Sequence, residues 1–227
     1  MSRRRGMQRK WAHVVNSLQQ IVPSYENASR RISLFADARL RTEAVRSAVH
    51  GPSLALDLGA GPGTMARLVS ERGGEPVLLD VSRVMLSASS MPNAVVGAFE
   101  HLPFRPGTFD AVVSGFALRD AYDLSAAIME TKMVLGKEGR MSVCDLGRPD
   151  SAVRALAIGF YLRVAPTVIG LMTAGRQGMK YGSLFDTYIL HAKNSELTAE
   201  FRRHFRSIRV HETQLGGSIV ISCSEPS

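Results

Sequence analysis

Cysteine is scarce in this chain: two residues in 227, Cys144 and Cys223. That number excludes a disulfide-stapled secreted fold, and both lie in strand-like apolar runs, so they read as buried thiols in a reducing compartment. No Cys/His cluster has metal-ligand spacing, and no structural zinc is expected. The basic start Met-Ser-Arg-Arg-Arg-Gly-Met-Gln-Arg-Lys has no apolar core after it, which argues against a secretory signal and for the cytoplasm. An uninterrupted apolar run of about 20 residues, the requirement for a membrane span, is also missing. The longest apolar stretch, 151–175, holds Arg154 and Arg163 and meets Pro166, which removes a helical hydrogen bond. It reads as two linked helices that cover a pocket or touch a membrane surface. Repeats and low-complexity linkers are absent. Acid is in deficit, with 20 Asp and Glu against 28 Lys and Arg, a net charge of +8. Nucleic acid, an anionic membrane surface, or merely a disordered basic arm at 1–10 on an Arg-rich protein all fit that surplus.

What is present describes one α/β domain over 1–227. Hydrophobic content of 45% and charged content of 21% are ordinary for a globular chain with a full core. Trp11, Val14, Val15, Leu18 and Ile21 fall at helical spacing, so an amphipathic helix is expected over 11–22, within N-terminal helices reaching about His50. From 53 onward, strand-like runs near 53–57, 76–80, 93–97, 109–114 and 139–145 alternate with helical stretches. Such alternation predicts a doubly wound, mostly parallel sheet with helices on both faces. The runs 207–213 and 218–223, joined by a tight turn at Gly216-Gly217, predict an antiparallel hairpin at its edge. The segment 146–194 is an insertion large enough to form a helical lid.

Residues 54–63 carry the most chemistry. An apolar strand ends on Asp57, and Gly59, Gly61 and Gly63 follow before a helical stretch at Thr64–Arg72. Glycines permit a sharp turn and let a ligand lie against bare backbone. A dinucleotide fingerprint wants its third glycine one residue later, where Thr64 stands. A second strand closes on Asp80, whose carboxylate is placed to accept both hydroxyls of a ribose. Helix capping is the structural alternative for both acids, Asp57 for the helix after the turn and Asp80 for the one starting near Ser82.

The acid before a G-x-G-x-G turn resembles motif I of class I S-adenosylmethionine-dependent methyltransferases. Further stretches are similar to the menaquinone/ubiquinone C-methyltransferase family: Gly-Ala-Phe-Glu-His-Leu-Pro-Phe at 97–104, Gly-Thr-Phe-Asp-Ala-Val-Val at 107–113, Gly-Phe-Ala-Leu-Arg-Asp at 115–120 and Met-Val-Leu-Gly-Lys-Glu-Gly-Arg at 133–140. Upstream, Tyr-Glu-Asn-Ala-Ser-Arg-Arg-Ile-Ser at 25–33 is also similar to that family, as are Pro166, Gly170, Tyr181 and a helix at 195–205. The resemblance spans residues 20–223. It implies a Rossmann-like sheet of seven strands, with S-adenosyl-L-methionine as cofactor and S-adenosyl-L-homocysteine as product. The implied cofactor residues are Asp57, near the methionine ammonium, with Gly59, Gly61, Pro62, Gly63, Asp80, Val81, Ala98, Phe99 and Gly115. Tyr25, Phe116 and Tyr181 would line the acceptor pocket. The chain departs from the pattern: Ala98 stands where Asp or Asn is usual, Phe99 for a small residue, Gly115 for Ser and Asp120 for Asn.

The implied acceptor is a demethylated quinol or related phenolic ring with an isoprenoid tail. Arg119 is then the candidate for stabilising a phenolate, since guanidinium stays charged and is a poor base. Asp120 and His101 are candidate proton acceptors. An Arg119–Asp120 ion pair and an exposed loop role for His101 are the structural alternatives. An RNA methyltransferase fits the charge, but the run after the fourth strand, Ser-Gly-Phe-Ala-Leu-Arg-Asp, lacks the Asp/Asn-Pro-Pro-Tyr/Phe of amino-methylating enzymes. A C5-methylating enzyme needs a nucleophilic cysteine, for which Cys144 lacks the usual flanks. A non-catalytic partner protein, peripheral contact with an anionic membrane and a homodimer stay open.

Overall fold

In the computed structural model of the protein, the described residues are 31, 33, 36–174, 185, 188, 189 and 191–226. The basic arm, the expected helix over 11–22, Tyr25, Tyr181 and most of the 25–33 motif lie outside them.

Seven strands form one sheet: β1 (Leu54–Leu58), β2 (Glu75–Asp80), β3 (Ala94–Val96), β4 (Phe109–Gly115), β5 (Leu135–Leu146), β6 (Phe205–Thr213) and β7 (Ser218–Pro226). Their spatial order is β3-β2-β1-β4-β5-β7-β6. Strands β1 to β5 pair in parallel, and β7 runs antiparallel to both β5 and β6. The chain therefore winds outward from β1 to β3, then returns to lay β4 against the other side of β1. Beyond the carboxyl ends of β1 and β4 this reversal opens a crevice, the usual ligand position in such sheets.

Side chains of alternate residues project to opposite faces of a strand, and the core divides accordingly. Leu56, Leu58, Val112, Met141, Val143, Ile219 and Ile221 form one cluster with Ile128 of helix α4 (Leu124–Val134) and Phe201 of helix α6 (Asn194–Arg202). Ala55, Ala111, Val113, Cys144 and Val220 face the other way. They pack on Leu40, Ala44 and Val45 of helix α1 (Asp37–Ala48) and Met65 and Val69 of helix α2 (Thr64–Glu71). Phe201 and Phe205 are fully buried, each contributing about 2–3 kcal/mol by removal from water. The short helix α3 (Arg83–Ser87) follows β2.

Two expectations are corrected. Helix α5 (Ala152–Ala174) is one 23-residue helix running through Pro166, not two helices parted there. Proline removes a single N–H donor, and a helix of about six turns keeps its bonds on both sides. Its Ala152–Met172 stretch is long and apolar enough to cross a membrane by length and composition, and 22% of that window is buried. Val153, Leu156, Phe160, Val164, Val168 and Met172 lie exposed along it. The β6–β7 turn, in turn, is wider than Gly216-Gly217. It occupies Gln214–Gly217, with Gln214 and Leu215 themselves left-handed at φ 52° and 60°.

Asn194 joins the segment after β5 to that turn. Fully buried, its Oδ1 accepts from the Arg148 N–H at 2.7 Å and its Nδ2 donates to the Gly216 carbonyl at 3.0 Å. Asn194→Ala would leave a buried donor and a buried acceptor unpaired. It is expected to lower stability by about 2–4 kcal/mol in reversible denaturant unfolding. A loss under 0.5 kcal/mol would show the joint to be dispensable.

Candidate active site

Strand β1 carries Asp57 into the interior just before the crevice, and the Gly59–Gly63 turn then crosses its mouth. Gly59, Gly61 and Gly63 all take positive φ, 78°, 52° and 83°. Gly59 has a second constraint, because a Cβ there would collide with the Ala117 methyl and lie 3.0 Å from the Phe99 ring. The loops after β3 and β4 thus close directly onto the turn. Its start is fixed to β2 by Gly59 and Ala60 N–H groups donating to the Leu79 carbonyl.

Asp57 has no exposed surface. Its Oδ2 accepts from the Ala66 N–H at 2.9 Å, so the capping alternative is present, while Oδ1 has no partner. Burial pushes its carboxyl up to about 7, against the Ala66 hydrogen bond and the Arg41 guanidinium, which favour ionisation. Asp80 accepts from the Gly61 N–H at 2.9 Å and the Ser82 N–H at 2.8 Å. Ser82, not Asp80, caps α3 by accepting from Met85. Burial raises the Asp80 carboxyl as well.

Across the crevice, Gly115 ends β4. A Cβ there would sit 2.5 Å from Arg41 Nη1 and 2.9 Å from Met65 Cγ, so the missing side chain makes room for a buried arginine. Arg41 donates to the Gly115 carbonyl at 3.3 Å and lies over the Phe116 ring at 4.9 Å; its Nε has no partner. Phe116 is itself buried in the α1-side cluster, at φ 59°, a strained value for an aromatic residue. The turn Leu118–Asp120 follows. There Arg119 Nη1 donates to Asp145 Oδ1 at 2.7 Å, and the Arg119 N–H to Asp145 Oδ2 at 3.1 Å. The Arg119–Asp120 separation is longer, 3.9 Å, so the strong ion pair is with Asp145. Burial pushes Asp120 up to about 6; Arg119 opposes that, and Asp145 and Asp80 add to it.

Glu100 pins the loops together, accepting from the Tyr122 and Asp123 N–H groups at 2.6 and 3.0 Å. Ala98 and Phe99 are half-buried in this loop, Pro62 is half-buried in the turn, and Val81 is exposed after β2. His101 is exposed, bridged through backbone to Ala98. Asp57, Asp80, Asp120, Asp145, Arg41 and Arg119 therefore share one end of the sheet. Arg41 and Asp145 escaped the sequence reading, though each left a signal. Arg41 lies on the apolar stripe Leu40, Ala44, Val45, Ala48 of α1, and Asp145 stands one residue before the end of its strand as Asp57 does, while Asp80 closes β2.

Residues 56–143 match the family profile described as Methyltransferase domain. Demethylmenaquinone methyltransferase of Thermus thermophilus is 32% identical over 174 residues, 71% of this chain and 79% of that protein. The Mycobacterium marinum protein of the same name is 32% identical over 173 residues, 74% of each. The chain belongs to the class I S-adenosylmethionine-dependent methyltransferases. It is a divergent relative of the menaquinone/ubiquinone C-methyltransferases. A solved S-adenosylmethionine-dependent methyltransferase from Thermotoga maritima shares the fold with a TM-score of 0.66 at 18% identity, covering 94% of this chain and all of that one. One from Methanococcus maripaludis gives 0.61 at 14% identity, covering 92% and 94%.

The methyltransferase uses S-adenosylmethionine, and its residues fit that group. The methionine end is a zwitterion, and the crevice offers a buried carboxylate oxygen and a buried guanidinium nitrogen, both without partners.

Because Asp57 titrates near 7 when folded and near 3.8 otherwise, the folded enzyme binds the extra proton between those values. Stability therefore falls as pH rises from about 4 to about 7, by roughly 4 kcal/mol from this group. Asp57→Asn keeps the helix cap and removes the proton. Unfolding free energies measured from pH 4 to 8 should show that slope in the wild type and not in the variant; parallel curves would contradict the assignment.

Proposed function

We propose that this methyltransferase methylates a ring carbon of a lipophilic phenolic acceptor of the demethylated-quinol type. The observation that carries the reading is the buried ion pair between Arg119 of the Phe-Ala-Leu-Arg-Asp turn and Asp145 near the end of β5, with Asp120 next to it in the turn. The names of the relatives, demethylmenaquinone methyltransferases, support it.

The cofactor supplies a methyl group on a positively charged sulfur. In our assignment, Asp57 faces its ammonium and Arg41 its carboxylate, while Asp80 accepts from the ribose hydroxyls. Gly59, Gly61, Pro62 and Gly63 leave the backbone open beneath it, with the Gly115 carbonyl at the methionine end. Val81, Ala98 and Phe99 wall the adenine, with no carboxylate at position 98. Position matters more than bond-making groups in such a transfer, because aligned reactants carry much of the rate. A phenol is a weak carbon nucleophile until its oxygen carries charge. Arg119, fixed by Asp145, contributes positive charge that favours the phenolate. Asp120, titrating near 6, suits a hydrogen bond to an acceptor hydroxyl. His101 stands outside this group. Phe116, which lies under Arg41, lines the acceptor pocket together with Tyr25 and Tyr181 in this proposal.

The exposed apolar residues of α5 suit an isoprenoid tail or the surface of the membrane that dissolves it. We accordingly place the enzyme in the cytoplasm, peripheral to that membrane. A cysteine-nucleophile reaction on nucleic acid is disfavoured, since burial pushes the Cys144 thiol up to about 12.

Calorimetric titration with S-adenosylhomocysteine is expected to give micromolar binding, lost at least tenfold in Asp80→Ala. Labelled methyl transfer to demethylmenaquinol should then be acceptor-dependent. Binding without transfer to any phenol would refute the acceptor class; no binding would refute the site assignment.

A further inference from the structure

His191 lies in the segment leading into α6 and takes no part in the scheme above. It is 9% exposed, and its Nε2 is buried with no hydrogen-bond partner. The backbone on either side of the ring is held. The His191 N–H donates to the Tyr188 carbonyl at 3.2 Å, and the His191 carbonyl accepts from Arg148 Nη1 at 2.9 Å. The ring itself is hydrogen-bonded to the Leu146 backbone and feels the charges of Asp145 and Arg119, which puts the imidazole near the carboxyl end of β5, where Asp145 grips Arg119.

An unpaired buried imidazole nitrogen costs about 1–3 kcal/mol, and folded proteins retain few such groups without a reason. Four groups set its charge. Burial holds the imidazole below its ordinary range, and the Arg119 and Arg148 guanidiniums act in the same direction; Asp145 and the Leu146 carbonyl oppose them. The ring is therefore neutral at pH 7, which leaves a nitrogen able to take a proton.

We propose that His191 Nε2 accepts the hydroxyl proton of the phenolic acceptor. The inference rests on the reading of the acceptor given above. A quinol has two hydroxyls, and in this scheme one would meet Asp120 and the other His191. The O–H bond breaks, the proton moves to Nε2, and the electron pair stays on oxygen as phenolate. After the methylated ring carbon has released its hydrogen to water as a proton, Nε2 returns its own proton to the oxygen. One proton leaves per turnover, and His191 is unchanged.

The test compares wild type with His191→Gln and His191→Asn. Both variants are expected to bind S-adenosylhomocysteine within threefold of wild type, with kcat on un-ionised quinols at least a hundredfold lower and KM little changed. Along a series of phenols of falling pKa, the variant-to-wild-type ratio should climb towards one once the phenol is ionised at the assay pH. In the wild type, kcat should rise with pH through a value below 6.5, and that limb should vanish in the variants. Variants equally slow on ionised and un-ionised phenols, or as fast as wild type on both, overturn the inference alone. A wild type that binds S-adenosylhomocysteine and methylates no phenol overturns it together with the acceptor class.

Discussion

A carboxylate kept from water beneath a glycine turn constrains everything around it. Asp57 caps α2 through one oxygen, but a cap is worth about 1 kcal/mol, well below the cost of holding that carboxyl ionised where it is buried. Capping alone does not account for an acid in that place. The neighbouring choices become intelligible as responses to it. Arg41 is drawn into the apolar stripe of α1 to offset its charge, Gly115 is stripped of a side chain to admit Arg41, and Phe116 lies under the guanidinium in a left-handed conformation. Each of these would be an odd choice for a simple core.

The second charged group, around Arg119 and Asp145, is organised differently. Here the ions meet directly at 2.7 Å, and the Asp145 carboxylate is filled by Arg119 and the Leu146 N–H. In one cluster opposite charges are paired directly, whereas in the other Asp57 Oδ1 and Arg41 Nε keep unpaired atoms of both signs. That contrast matches what each side handles in our proposal: a zwitterion that must be gripped, and an acceptor that needs a fixed field. Glu100 and Glu130 hold the intervening loops by accepting backbone N–H groups, so the two clusters keep their separation.

Periodicity made the sheet readable. The acids at 57 and 80, the Gly turn, all seven strands and the antiparallel final strand are visible in the sequence, because each depends on local spacing. The features that escaped it depend on distant residues. Arg41 meets Gly115 across 74 positions, and Asp145 meets Arg119 across 26; neither partner announces the other. Pro166 differs for the opposite reason: its one missing N–H donor counts for less than the apolar run on both sides of it. The turn after β6 is not legible from its glycines because Gln214 and Leu215, as well as Gly216, take left-handed positions.

Strand β7, formed by residues 218–226, lies between two strands made before it. During synthesis, β5 waits for a neighbour about 80 residues away, and β6 has no sheet to join until that neighbour arrives. The far side of the sheet cannot close while the chain is still short of position 218. The core contacts that Ile219, Ile221 and Cys223 of β7 make are thus assembled late and through long-range pairing, the slow kind. A ribosome stalled just before that point would hold β5 with an open edge, a species prone to pair with other chains.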